Sequence, residues 1–268
     1  MIHQGLAFSP FFIEVPKHKN LFWPGCSLLK LDPEILEETL EALKSELEDV
    51  GMVSLCCASP TRSIFPEKLE KRREKLKAYL KDTGVETIYT ACPNCLNDLR
   101  SFLEVEVQMI WPVLYRAIKR KPKGEEKQGL YNIQDPCPLR EERESHEAIR
   151  GILTHLGYTY VDVEASKDKT ICCGEVEMLA IRDKEKSKAL TETSLKRFSH
   201  PVIGYCEGCV SRFKSKGYDS IHLLEMIFSE SSSRSYANRL KNKKRCRWTS
   251  YLIVITPWAY LPVIMMMD

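Results

Sequence analysis

One pattern of cysteines occurs twice in this chain. Cys26, the vicinal pair Cys56-Cys57 and Cys92-x-x-Cys95 are followed in the same order by Cys137, Cys172-Cys173 and Cys206-x-x-Cys209. Equivalent residues lie 111 apart (Cys26 and Cys137), 116 apart (Cys57 and Cys173) and 114 apart (both members of each C-x-x-C). An order kept at three separated places, with small changes in spacing, is an internal duplication with loop differences. Such a chain has to build one unit twice, and each unit has to gather five thiols.

The flanks repeat with the cysteines. Short apolar or β-branched runs precede each C-x-x-C, at 85–89 and 201–205, and each is predicted to be a buried strand followed by a helix. The runs at 21–25, 52–55 and 130–133 read as strands too. Ile35, Leu36, Leu40, Leu43 and Leu47 recur at helical spacing behind Asp32-Pro33, a start signal with proline in the first turn. Residues 67–82 are predicted to form a second, heavily charged helix. Strand and helix in alternation, twice, predict two duplicated α/β halves with mainly parallel sheets. The cysteines then sit at strand carboxyl ends, where open α/β sheets gather their ligands. The expected units are residues 1–118 and 129–230, joined through a polar connector, with 231–268 as a basic linker and hydrophobic tail.

Composition fixes the setting. A chain of 268 residues with 43% hydrophobic and 29% charged residues can bury a core and has room for two domains. Forty Lys+Arg against 37 Asp+Glu leave a net charge of +3, with no global field to attract nucleic acid. Eleven cysteines fall well short of a disulfide scaffold, for which roughly 8–10% of residues is needed. The apolar run from Phe8 to Val15 has no basic residue before it and no small-residue cleavage pattern after it, so it is not read as a secretory signal. A reducing, cytoplasmic setting is expected, where patterned cysteines are metal ligands or redox groups before they are disulfides.

Thiolates select zinc, copper(I) or iron–sulfur clusters. A structural zinc site takes four ligands, usually from two knuckles. Each half here has one C-x-x-C, one vicinal pair and one single cysteine, five in all. Successive side chains diverge, so a vicinal pair suits different irons of a larger centre better than one small ion. Buried thiols, zinc and disulfides are the plainer readings, and order and duplication weigh against all three.

This order, with Asp135-Pro136-Cys137 and Cys172-Cys173-Gly174 in the second copy, resembles the cysteine-rich CCG domain pair in the B-type component of heterodisulfide reductase, over roughly residues 20–230. The resemblance implies a noncubane [4Fe–4S] cluster in each half, hence two in the chain. Cys26, Cys56, Cys57, Cys92 and Cys95 would hold one; Cys137, Cys172, Cys173, Cys206 and Cys209 would hold the other. It further implies an oxidoreductase component moving electrons to or from a thiol/disulfide or a similar small acceptor. The alternative is a relay or docking component for a flavin- or quinone-linked partner. The chain departs from the family pattern at Ala58, where glycine would follow Cys57, at Pro138, where histidine is frequent, and at Glu175-Val176-Glu177. Such changes spare the ligands and alter their surroundings.

The remaining residues add little chemistry. His3, His18, His146, His155, His200 and His222 show no ligand spacing, and His222 is expected to cap or pack where a helix begins. Asp135-Pro136 reads either as a turn or as a group around the ligands. No dinucleotide or phosphate-binding glycine motif occurs, so electrons are expected from a flavin- or iron–sulfur-containing partner. Behind a serine-rich linker and six basic residues between Arg239 and Arg247, residues 248–267 are uncharged and mostly apolar. That run is long enough, at ~30 Å as a helix, to span a bilayer or lie on it. Attachment to the cytoplasmic membrane face is the expectation. Cys246, the leftover cysteine, is expected to be a free thiol.

Overall fold

A computed structural model describes residues 15–228. The first half contains β1 (Asn20–Trp23), α1 (Pro33–Lys44), β2 (Val50–Met52), α2 (Ser59–Ile64), α3 (Leu69–Leu80), β3 (Thr87–Thr90), α4 (Pro93–Arg100), β4 (Glu106–Met109) and α5 (Trp111–Lys119). The second contains β5 (Leu130–Gln134), α6 (Arg143–His155), β6 (Thr159–Val161), α7 (Leu179–Arg182), α8 (Lys184–Leu195), β7 (Val202–Gly204), α9 (Glu207–Lys214) and β8 (Ser220–His222), with helical residues from 223 to 228.

Two four-stranded sheets result, ordered β2-β1-β3-β4 and β6-β5-β7-β8, and every strand pair is parallel. The duplication extends to register. Leu21 lies between Gly51 and Ile88, and its counterpart Asn132 lies between Val161 and Val202. Ile88 pairs with Val107 as Val202 pairs with Ser220. The predicted fold class of duplicated α/β halves with parallel sheets is therefore what the chain adopts.

Local chemistry explains the elements. Central parallel strands are covered on both faces and run apolar, and Leu21, Phe22, Trp23 and Ile88 are fully buried. The Asp32 carboxylate accepts the Glu34 N–H at 3.1 Å, and Pro33 fills the first turn of α1. Ile35, Leu36, Leu40 and Leu43 then form its buried face, as their spacing predicts. In α8 the Asp183 side chain caps in the same way, accepting from Lys186 N–H at 2.9 Å.

The halves share one hydrophobic core. Leu21, Ile88, Leu114 and Ile118 belong to the same buried cluster as Ile149, Ile152, Ile203 and Leu224. Helix α5 packs on α1 in its own half and on α6 in the other. At its start, Trp111 meets Tyr205 edge-on, with ring centroids 5.7 Å apart. The connector is held down as well: Gly124 N–H donates to the His155 carbonyl at 2.8 Å and Lys127 N–H to that of Gly157 at 2.9 Å.

Several predicted boundaries move. The strand expected at 52–55 is β2, Val50–Met52; beyond Met52, Val53 gives one more hydrogen bond to Phe22 and the chain turns toward the cysteines. The charged helix starts as a 3-10 turn at Pro66–Lys68 and is α-helical only from Leu69. His222 ends β8 rather than opening a helix, which begins one residue later. Among the described residues, no helix is long and apolar enough to cross a membrane. The hydrophobic segment 248–267 and Cys246 lie outside the described residues.

Candidate metal centres

Strand order decides where the cysteines meet. From β1 each sheet grows first toward β2 and then, through β3, the other way, so the point of reversal lies between β1 and β3. Open α/β sheets bind their ligands at such a point, outside the strand carboxyl ends. Cys26 follows β1, Cys92 caps α4 directly after β3, and Cys95 sits in the first turn of that helix. Cys56-Cys57 arrive from the neighbouring β2. The second half repeats this, with Cys137 after β5, Cys172-Cys173 after β6, and Cys206 capping α9 ahead of Cys209.

All ten of these cysteines are free thiols. In each half the vicinal pair reaches in two directions. Cys56 is hydrogen-bonded to Cys26, whereas Cys57 is bonded to Cys95, which in turn holds Cys92. In the second half Cys172 is bonded to Cys137 and also to its neighbour Cys173, which reaches on to Cys209, and Cys209 holds Cys206. Each of the ten predicted ligands thus contacts at least one other cysteine of its own half. Among the described residues, no three His, Cys, Asp or Glu side chains meet the geometry for holding a metal ion.

The sulfurs do not share charge equally. Cys92 is held below its ordinary pKa by the Cys95 hydrogen bond, helped by N–H groups at the start of α4. Cys172 is pulled down to about 2 by hydrogen bonds from Cys137 and Cys173, with Gly174 N–H 3.3 Å away adding to them. Cys26, Cys57, Cys95, Cys137, Cys173 and Cys209 are pushed up. Cys26 is raised by its bond to Cys56 and by burial, Cys95 by its bonds to Cys57 and Cys92, and Cys209 by its bonds to Cys173 and Cys206. Each site therefore favours one thiolate and opposes the next unless a cation joins it. A metal supplies that cation and displaces the protons. Ten soft donors in two all-thiol sets, with vicinal pairs reaching in two directions, fit a multinuclear iron–sulfur group.

Two glycines admit the close approach. At Gly25 the backbone has φ +88°, and a Cβ would stand 2.5 Å from that of Cys92. At Gly174, φ +93°, a Cβ would meet the Ser187 carbonyl oxygen at 2.4 Å and Thr191 Oγ1 at 2.5 Å. Ala58 takes the equivalent place after Cys57 with φ +69°, so the left-handed turn survives without glycine.

Around the ligands the halves differ. Asp135, 1% exposed, receives both terminal nitrogens of Arg150 at 2.8 and 2.9 Å, the Tyr205 hydroxyl at 2.7 Å and the Lys167 N–H at 2.7 Å. Burial pushes its carboxyl up, but these donors outweigh it and hold the group below its ordinary range. The reading of Asp135-Pro136 as a group around the ligands is the one realised. Arg150 and Tyr205 carry no motif of their own; the one signal toward them is the Asp-Pro dipeptide, whose carboxylate needs partners if buried.

The two sites face each other. Arg62, behind the first vicinal pair, bridges Asp98 at 3.2 Å and Glu177, behind the second pair, at 3.1 Å. Asn97 in α4 donates to the carbonyl of Pro138 at 3.2 Å, and Arg100 pairs with Glu142. Lys30, after Cys26, lies close enough to Glu175 and Glu207 to pull against the burial that raises both carboxyls. A cavity of about 230 Å³ lined by Tyr131, Tyr158, Pro201, Asp219, Ile221 and Met226 lies at the opposite end of the second sheet and touches no cysteine.

Fold and site together define a duplicated parallel α/β protein with a five-thiol centre at each sheet's reversal point. The CCG cysteine-rich domain model matches residues 20–100 and 131–214, more than half of the sequence, and the chain belongs to that family. Membership points to iron–sulfur binding and redox function. No curated protein matches the sequence. Among solved structures, an aspartate racemase from Picrophilus torridus is similar at 14% identity over 80% of this chain and 94% of its own, with a TM-score of 0.34. Glutamate racemase from Campylobacter jejuni subsp. jejuni is similar at 13% identity over 91% and 98%, with a TM-score of 0.35. TM-scores this low say nothing about the chemistry of the present chain.

Proposed function

We propose that the chain is the iron–sulfur component of an oxidoreductase, resembling the B-type component of heterodisulfide reductase. Cys26, Cys56, Cys57, Cys92 and Cys95 hold one noncubane [4Fe–4S] cluster, and Cys137, Cys172, Cys173, Cys206 and Cys209 hold the second. The observation that carries this reading is that in both halves the vicinal pair contacts the single cysteine on one side and the C-x-x-C on the other. Such clusters supply one-electron steps that together reduce or form a thiol/disulfide or similar small acceptor. The protein's own groups hold and shield them: Cys57, Cys95, Cys173 and Cys209 are at most 4% exposed. Cys26, Cys92, Cys137 and Cys172 form the partly exposed edge through which electrons pass.

A flavin- or iron–sulfur-containing partner delivers or removes those electrons, and residues 248–267 attach the chain to the cytoplasmic membrane face. The same burial favours a second reading, a relay component without its own acceptor. Anaerobic purification with iron, sulfide and zinc analysis tests the assignment: about eight irons and eight sulfides per chain are expected for two four-iron clusters, and stoichiometric zinc without sulfide sinks it. A paramagnetic signal that depends on added disulfide supports catalysis; intact clusters indifferent to every disulfide tried support relay. Fractionation of full-length chain against a deletion of 231–268 tests the attachment, which fails if both remain soluble at low salt.

A further inference from the structure

Among the described residues, Asp135 is the one buried side chain that touches all three cysteine-bearing loops of the second half. It lies two residues before Cys137 on the first loop. Its Oδ2 accepts the Lys167 N–H at 2.7 Å, and its carbonyl accepts the Thr170 hydroxyl at 2.7 Å; both belong to the loop that ends in Cys172-Cys173. Its Oδ1 accepts the Tyr205 hydroxyl at 2.7 Å, directly before Cys206 on the third loop. Arg150 in α6 closes the arrangement bidentately and reaches Asp162 as well, at 2.5 Å. A further strand of the same net runs from Arg140, after Cys137, to the Thr170 carbonyl at 2.6 Å.

The first half's buried carboxylate is Asp98 in α4, which pairs with Arg62 at 3.2 Å and hydrogen-bonds Ser59, joining the segments of Cys95 and Cys56-Cys57. On the offset of 111 that relates Cys26 to Cys137, Pro24 stands in the place of Asp135 and Thr39 in that of Arg150; on the offset of 114, Ala91 replaces Tyr205. Buried, charge-assisted hydrogen bonds are directional and cost little further ordering once formed. Apolar packing supplies no such direction. One site is thus tied by a polar hub whose hydrogen bonds reach all three cysteine-bearing loops, whereas the hydrogen bonds of Asp98 join two segments of the other.

We propose that Asp135 is a positioning residue that keeps the second five-thiol cage assembled without iron, and that the first cage, which lacks such a hub, is the one that opens. The proposal rests on the cluster reading only for its electronic consequence. Replacing Asp135 by Asn leaves the Arg150 cation partly uncompensated beside the second site. Added positive character there favours the more negative, reduced state of a bound cluster.

Two measurements test this on the full-length chain. In the metal-free protein, time-resolved alkylation with iodoacetamide, read by peptide mass, is expected to label Cys26 faster than its counterpart Cys137, two half-buried thiols whose pKa values are both raised. Asp135→Asn is expected to raise the second-site rates about tenfold, the loss of a hydrogen bond to a charged group, and to leave the first-site rates unchanged. Global destabilisation of the fold would accelerate both sites alike; equal acceleration, or none, overturns the proposal. Should Asp135→Asn fail to fold, Tyr205→Phe decides: it deletes one hydroxyl, keeps the ring against Trp111, and is expected to raise only second-site rates, by about threefold. In protein reconstituted with iron and sulfide, Asp135→Asn is expected to move one of two midpoint potentials upward and leave the other in place. Two unmoved midpoints refute the electronic part. Absence of iron and sulfide from the reconstituted wild type refutes the cluster reading instead, and the alkylation result still stands or falls alone.

Discussion

The two halves have the same strand order, the same register and the same cysteine order, yet they are held together by different means. In the first half the groups behind the ligands are apolar or small: Trp23, Pro24, Thr39 and Ala91. In the second they are Gln134, Asp135, Arg150 and Tyr205, joined by hydrogen bonds. The second half also contains two buried histidines, His146 and His222, where the first has Ile35 and Met109. Duplication has therefore preserved what the ligands require and left the supporting layer free to change. Ligand geometry depends on backbone placement at strand ends, which either an apolar or a polar layer can fix.

The largest expected effect lies in the polar layer. Arg150→Ala would leave Asp135 buried with its charge uncompensated, and removing one partner of such a pair costs about 3–5 kcal/mol. The matching change in the first half, Thr39→Ala, deletes only a hydroxyl bonded to the Ile35 carbonyl within its own helix at 2.6 Å, a loss of about 1 kcal/mol. Chemical denaturation of both metal-free variants measures the contrast. Equal losses would mean that the hub contributes no more than ordinary packing.

Next comes the turn behind the vicinal pair. Gly174→Ala puts a methyl 2.4 Å from the Ser187 carbonyl oxygen in a left-handed backbone, and overpacking with backbone strain costs about 3 kcal/mol. Because Ser187 and Thr191 also hydrogen-bond the carbonyls of Gly174 and Cys173, α8 cannot withdraw without freeing the loop. The expected result is a lower thermal midpoint together with faster alkylation of Cys173. An unchanged midpoint would show that α8 yields.

How much of this is legible in the sequence? Cysteine order and apolar runs suffice for the duplicated parallel fold, because both signals are local and repeat. Strands β4, β6 and β8 leave no such mark: they lie at sheet edges and carry polar residues such as Glu106, Gln108, Thr159, Ser220 and His222, so no continuous apolar run announces them. Asp135 is visible as a motif residue, but Arg150 and Tyr205 meet it from 15 and 70 residues away, and no local pattern links such partners. The facing of the two sites is hidden for the same reason. Arg62 and Glu177 are 115 residues apart and sit in segments of unlike composition. Ala58 is a different case: the sequence marks it as a departure from the motif, and its backbone makes the glycine-like turn regardless.

Histidine sharpens the comparison through pH. His222 is fully buried, its Nδ1 accepts the Leu224 N–H at 3.2 Å, and burial drives its pKa down to about 3, with Lys214 adding to the effect. A base with a depressed folded-state pKa is neutral in the fold and takes up a proton on unfolding. Stability is therefore complete above the unfolded value, near 6.5, and declines as pH falls from there toward about 3. The slope for one such group is about 1.4 kcal/mol per pH unit, or roughly 2 kcal/mol between pH 6.5 and 5. His222→Met copies the first half, where Met109 holds the matching register position, and is expected to flatten this limb in the metal-free chain. An unaltered pH profile would place the titration elsewhere.

The smallest effect concerns Ala58, and its sign is informative. A non-glycine residue in the left-handed region carries strain of about 1 kcal/mol, which Ala58→Gly removes. The same change deletes a fully buried methyl, worth about 0.8 kcal/mol, and loosens the unfolded chain by a comparable amount. The two losses slightly exceed the gain, so denaturation should show a small destabilisation of about 0.6 kcal/mol. Gly174→Ala, at the equivalent backbone position, is expected to cost several times more, because α8 presses on that turn, whereas Ala58 opens α2 with its methyl already accommodated. If the two reciprocal substitutions produced changes of equal size, backbone conformation alone would govern both turns. Unequal changes assign the difference to the helix packed behind the second.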